Sequence, residues 1–157
     1  MKKLFVIFFV LTSQLGFSQN HFSLQDTTFE LGAIHQFRVE YVHGHPPLYQ
    51  DPNQPTYDSI ADFLKRNPNV VIEIASHTDQ RGSDHYNQLL SQRRADNIKA
   101  SVIEAGANPE QMVAKGYGEI KPIYSTEHIL KLATKQEQEE AYGKNRRLEL
   151  VIIAIGE

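Results

Sequence analysis

The stretch Val70-Val71-Ile72-Glu73-Ile74-Ala75 limits the possible folds more than any other part of this chain. Apart from Glu73 it is apolar at odd and even positions alike. An extended strand points successive side chains to opposite faces, so a strand of this kind is buried on both and sits inside a sheet. Residues 76–82 then form a polar loop. Ser83 or Asp84 caps a long helix after it, and Gly106 ends that helix where a left-handed residue is favoured. With 157 residues, 40% of them apolar, the chain has the size of one domain with a modest core.

The remaining elements follow from periodicity and punctuation. Residues 34–42 alternate weakly around Phe37, Val39 and Tyr41 and read as a strand. Residues 44–55 hold Pro46, Pro47, Pro52 and Pro55, four of the seven prolines, and read as a loop. Thr56 can cap a helix over residues 56–67, with Tyr57, Ile60, Phe63 and Leu64 on one face and Asn67-Pro68 as its stop. After a turn at Asn108-Pro109, residues 112–117 form a short strand. Residues 126–142 read as one polar surface helix with Ile129, Leu130 and Ala133 as its apolar stripe. Residues 148–155 are a last, β-branched strand. The order strand, helix, strand, helix, strand, helix, strand implies an α/β chain with helices packed on a sheet. Right-handed crossovers would then put the loop after residues 70–75 at the C-terminal edge of the sheet, where open sheets of this class bind ligands.

The first residues have a different purpose. Met1-Lys2-Lys3 is cationic, residues 4–11 are uninterrupted apolar sequence, and residues 12–20 are small or polar. This is the three-part pattern of a secretory signal peptide, with Gly16-Phe17-Ser18 placing the cut before Gln19. The apolar run is well short of the ~20 residues of a membrane span. The expected organisation is therefore a signal peptide over 1–18, a polar N-terminal arm over 19–33, and a domain over 34–157. The formal net charge is -3, and it becomes more negative once Lys2 and Lys3 are removed. That argues against a generic nucleic-acid binder, which needs a basic surface to displace counterions. There is no Cys, hence no disulfide, no thiolate metal site and no thiol nucleophile.

One residue breaks the expected pattern. Leu90, Ile98 and Val102 form the apolar stripe of the long helix, and Arg94 lies four residues from both Leu90 and Ile98. A guanidinium does not lose its charge, and burying it unpaired is costly. Arg94 therefore either rims the core with its stem snorkelled to water, or meets a carboxylate of the protein or of a ligand. Asp79, in the loop before the helix, favours the second reading. Asp79 and Arg94 together offer an acceptor for an ammonium and a two-pronged donor for a carboxylate, which matches a zwitterionic amino-acid group.

The motifs around that pair resemble a known family. His77-Thr78-Asp79-Gln80-Arg81-Gly82-Ser83, Tyr86-Asn87, Leu90-Ser91-Gln92-Arg93-Arg94-Ala95, Gly116-Tyr117-Gly118-Glu119 with Pro122, and Asn145-Arg146-Arg147-Leu148-Glu149 occur in this order. Together they resemble the OmpA-like peptidoglycan-binding domain, with the match strongest over residues 56–153. The resemblance implies an α+β sandwich of the βαβαβ type, with helices on a mixed four-stranded sheet. It implies non-covalent binding of the diaminopimelate group of the peptidoglycan stem peptide by Asp79 and Arg94. Thr78, Asn87 and Arg147 match family positions that line the same pocket, whereas Arg146 reads as part of a solvated start to the last strand. With the signal peptide, the resemblance implies a periplasmic or outer-membrane-associated protein without a transmembrane segment in its mature chain. Two departures stand out. Ser76 occupies a position where the family usually has glycine, and Phe37-Arg38-Val39-Glu40-Tyr41 replaces the family's aromatic-acidic-aromatic first strand.

Two other classes compete with this reading. One is an envelope protein–protein interaction module of the same fold that no longer binds cell wall, with residues 43–55 and the polar helix from Thr126 as candidate surfaces. The other is a metal site at His43 and His45, which lacks the three or four converging ligands zinc requires. No cofactor or catalytic motif is legible: there is no Gly-x-Ser-x-Gly elbow, no phosphate loop and no Cys–His pair. The expectation is a binding protein, not an enzyme.

Overall fold

In the computed structural model, which describes residues 20–39 and 51–156, β2 (Val70–His77) is an interior strand, as its two apolar faces require. It pairs in parallel with β3 (Met112–Gly118) on one side and antiparallel with β4 (Leu148–Ile155) on the other. β1 (Ile34–Phe37) pairs antiparallel with β4, completing a mixed four-stranded sheet in the order β1-β4-β2-β3. The helices α1 (Gln54–Arg66), α2 (Asp84–Glu104), α3 (Thr126–Leu130) and α4 (Lys135–Asn145) make this an α+β fold. The expected signal peptide and most of the expected Pro-rich loop lie outside the described residues.

The core is the seam between one sheet face and the first two helices. Ile60, Phe63 and Leu64 of α1 and Ile98 and Val102 of α2 meet Ile72 and Ile74 of β2 and Leu150 and Ile152 of β4, all at 1% exposure or less. The segment read as a polar arm contributes as well. Phe22 is 7% exposed and its ring centroid lies 5.5 Å from that of Phe63, while Phe29 stands edge-on to Phe63 at 5.3 Å. Gln111, in a single 3-10 turn, is buried and donates from Nε2 to the carbonyls of Leu64, Asn67 and Val70. It thereby ties the end of α1 to the start of β2, adding a second donor at Leu64 O and Asn67 O, which already accept from Asn67 N–H and Val70 N–H.

Four local readings change. α1 begins at Gln54, not at Thr56, because Pro55 is compatible with a first helical turn, where its missing N–H costs nothing. β1 ends at Phe37 among the described residues, so Arg38 and Val39 leave the sheet. The single helix expected over residues 126–142 is two helices. Thr134 opens α4 with a reciprocal capping box, its hydroxyl accepting from Glu137 N–H and the Glu137 carboxylate accepting from Thr134 N–H. The fourth change concerns the inward face of α2, which is Asn87, Ser91, Ala95, Ile98 and Val102. Ile98 and Val102 face inward as expected, whereas Leu90 and Arg94 flank that face and are half-buried.

The reason is hydrogen bonding between α2 and β3. Gly116 sits so close to α2 that a Cβ there would lie 2.2 Å from Gln92 N. Through this gap Gln88 Nε2 donates to Gly116 O at 2.8 Å, Gly116 N–H donates to Gln92 Oε1 at 2.8 Å, and Gly118 N–H donates to Ser91 Oγ at 2.8 Å. α2 thus supplies polar partners to the outer strand β3, whose edge would otherwise be an open pairing surface.

Candidate functional site

The loop after β2 leaves the sheet through three consecutive buried polar residues, Ser76, His77 and Thr78, at 0%, 3% and 5% exposure. Ser76 Oγ, His77 Nδ1 and Thr78 Oγ1 have no hydrogen-bond partner among the described residues. Buried polar atoms without partners are uncommon, so three in succession call for an explanation. The loop then tightens. Asp79 Oδ1 accepts from Arg81 N–H at 2.9 Å, a turn closed by an aspartate side chain. Asn87 Nδ2 donates to the carbonyl of Asp79 at 3.2 Å and to Glu119 Oε2 at 2.5 Å. Asn87 therefore positions the loop from below.

Asp79 is 6% exposed, and two guanidiniums hold it. Arg81 Nη2 lies 2.7 Å and Arg146 Nη1 2.5 Å from Asp79 Oδ2. The same two arginines grip Glu139 of α4, at 2.8 Å each, and close a ring of two carboxylates and two guanidiniums. Arg81 also lies over the Tyr142 ring, 4.5 Å from its centroid. Burial alone would raise the Asp79 pKa. The hydrogen bonds from Arg81 and Arg146 outweigh it and hold the carboxyl below its usual range. Arg146 is thus a partner of Asp79, which corrects its reading as a solvated residue.

Beside this ring lies a cavity of about 480 Å³ whose walls include Arg38, Ser76, His77, Arg94, Arg146 and Arg147. Arg94 reaches it from α2 and Arg147 from the start of β4. Asp79 is not in its lining; Arg146 connects the two, touching Asp79 on one side and the cavity on the other. Sequence reasoning placed Asp79 and Arg94 side by side, and the structure inserts Arg146 between their roles. Thr78 is behind the wall, with its N–H donating to Gly118 O.

Arg147 belongs to a second cluster. Its Nε donates to Glu149 Oε1 at 2.8 Å and its Nη1 to the carbonyl of Lys121 at 3.0 Å. His77 Nε2 lies 3.3 Å from Glu149 Oε2, and the His77 ring stacks on Tyr117 at 5.1 Å. Burial pushes the Glu149 carboxyl up, but His77 and Arg147 more than offset this and lower it to about 2. Asn145, fully buried, accepts from the N–H groups of Ile123 and Tyr124 and donates to Gln80 Oε1, fastening the loop after β2 to the segment that follows β3.

The residues that sequence reasoning passed over are Arg81, Glu139, Arg146 and Arg38. A signal existed for one pair: Glu139 and Arg146 are seven residues apart, two helical turns, at the end of α4. The described residues contain no group of three metal-ligating side chains, and His43 and His45 lie outside them. No helix among the described residues is long and apolar enough to cross a membrane.

A model of the OmpA family matches residues 44–136. Over 97 residues the chain is 33% identical to a peptidoglycan-associated lipoprotein of Legionella pneumophila, which covers 62% of this chain and 49% of that protein. Over 65 residues it is 46% identical to outer membrane porin F of Pseudomonas fluorescens, 41% of this chain and 20% of that one. The chain thus spans about half or less of the length of these curated relatives. Among solved structures it is similar to the peptidoglycan-associated lipoprotein from Burkholderia pseudomallei, with a TM-score of 0.54 and 29% identity over 75% of this chain and 87% of that one. The fold is also that of the periplasmic domain of Helicobacter pylori MotB, with a TM-score of 0.58 and 20% identity over 81% and 76% of the two chains.

Proposed function

The chain belongs to the OmpA family, and from that premise we propose that it binds peptidoglycan non-covalently in the cell envelope, by the diaminopimelate group of the stem peptide. The observation that carries this reading is the cavity wall. Arg94 stands on it beside Arg146, and Arg146 leads directly to the buried carboxylate of Asp79. A zwitterionic group placed there has its carboxylate held by the Arg94 guanidinium through two parallel hydrogen bonds. Its ammonium goes to Asp79, in exchange for one of the guanidiniums that hold that carboxylate in the ligand-free protein. The exchange replaces one cation by another, so the buried charge is never left unpaired.

The other residues have supporting parts in this reading. Thr78 offers its hydroxyl to ligand or loop, Asn87 fixes the loop that carries Asp79, and Arg147 shapes the wall. Residues 1–18 direct export and are cut before Gln19, which gives a periplasmic or outer-membrane-associated protein. The site binds and holds; it performs no reaction.

The test is co-sedimentation of the purified protein with peptidoglycan sacculi, with circular dichroism to confirm folding of each variant. Wild type is expected in the pellet. Arg94→Ala and Asp79→Asn are expected in the supernatant, because removing one partner of a desolvated charge pair costs about 2–5 kcal/mol. A folded wild type that stays in solution would sink the reading and leave a protein-binding module of the same fold as the better explanation.

A further inference from the structure

A buried hydroxyl on the cavity wall has nothing to bond. Ser76 stands near the end of β2 at 0% exposure, and its Oγ has no hydrogen-bond partner among the described residues. Its surroundings show the contrast. Ser91 Oγ, also at 0% exposure, donates to Gln88 O and accepts from Gly118 N–H. Arg94, on the same wall, is already engaged in the ligand-free protein. Ser76 is also set apart from His77 and Thr78 by where it points. Alternation along β2 puts it on the side of Ile72 and Ile74, which is the helix side of the sheet. The His77 ring lies on the other side, stacked on Tyr117. Thr78 does not line the cavity, whereas Ser76 does, together with Leu148, its cross-strand partner, and Arg94 of α2.

A serine hydroxyl has one O–H to donate and lone pairs to accept with. Guanidiniums have only donors, so those of the wall can serve its lone pairs but not its proton. The proton needs an acceptor, and burial without one costs stability. A ligand carboxylate supplies that acceptor: it has about four lone-pair sites, and a guanidinium fork takes only two of them. We propose that Ser76 is a ligand-binding residue, its hydroxyl donating to the carboxylate of the zwitterionic group that Arg94 grips. The hydroxyl is closed off in the ligand-free protein, and ligand entry opens it through the same exchange that frees Asp79, because Arg146 both holds Asp79 and forms part of the wall. Stability is thus given up in the free protein and recovered on binding. The inference rests on the peptidoglycan reading and deepens it, adding to the site a residue that stands where the family usually has glycine.

Two readouts of Ser76→Ala separate this role from a structural one. Removing an unpartnered buried hydroxyl relieves the ligand-free protein, so its thermal midpoint is expected to rise by on the order of 4 °C. Calorimetry with L-alanyl-γ-D-glutamyl-diaminopimelate is expected to show binding weakened on the order of tenfold. Ser76→Gly also removes the hydroxyl and is expected to lose affinity to a similar extent, with circular dichroism confirming that both variants fold. Affinity equal to wild type in either variant overturns the Ser76 contact, as does a loss of affinity in Ser76→Ala with an unchanged or lowered midpoint; both leave the peptidoglycan reading standing. Failure of wild type to bind either the tripeptide or sacculi overturns that reading and the contact together.

Discussion

Asp79 and Glu149 meet the same difficulty: each is a carboxylate at 6% exposure near the end of the sheet where the candidate site lies. Each is kept charged by its neighbours, Asp79 by Arg81 and Arg146, Glu149 by His77 and Arg147. For Glu149 the consequence for stability has a definite sign. Its carboxyl is lowered from 4.5 to about 2 by the excess of those contacts over burial. A depressed carboxyl contributes stability above its unfolded value, and that contribution is lost as pH falls from about 4.5 through about 2. Its size at neutral pH is on the order of 3 kcal/mol. Glu149→Gln is therefore expected to lower the denaturation midpoint at pH 7 and to flatten the fall in stability between about pH 4.5 and 2 relative to wild type. Denaturant titrations across that range check this, and parallel curves for the two proteins would refute it. The motif blocks pointed to Asp79 and Arg94, but nothing in their spacing showed that Arg146 reaches Asp79, since such a pair forms only when the chain brings residues 67 positions apart together.

At the scale of elements, the contact between α2 and β3 depends on one missing side chain. A Cβ at Gly116 would sit 2.2 Å from Gln92 N and 2.6 Å from Ser91 Oγ, and the first of these is backbone that cannot swing aside. Gly116→Ala is expected to cost about 3 kcal/mol or more, by separating β3 from α2 and breaking the bonds from Gln88 Nε2 to Gly116 O and from Gly118 N–H to Ser91 Oγ. Thermal unfolding measures this, and an unchanged midpoint would contradict the packing described. The same contact explains why α2 was misread. Hydrophobic periodicity identified its length and its stop at Gly106, which has φ 95°, but its inner face is half polar. Asn87 and Ser91 are buried because they bond the loop and β3, which a count of apolar residues does not register. β2 and β4 are legible because, apart from Glu73, Glu149 and the polar end of β2, they are apolar on both faces. The break before α4 was legible too, in Thr134 and Glu137, but the polar run around it was read as continuous helix.

Across the whole molecule, chemistry and packing are separated. α1, α2 and the aromatic residues of the N-terminal segment close one face of the sheet. The arginine-lined cavity lies at the end of β2, where the loop to α2, the end of α4 and the start of β4 converge. The opposite face of the sheet carries Val113 and Ile153 at 45% and 41% exposure. These two surfaces make the central claim testable by location. The most direct measurement is amide chemical-shift mapping of the isotope-labelled protein during titration with a diaminopimelate-containing stem tripeptide. The account predicts perturbations concentrated at residues 76–82, at Arg94 and at residues 145–148, and their loss in Arg94→Ala. Perturbations confined to Val113, Val151 and Ile153, or none at a saturating peptide concentration, would contradict it.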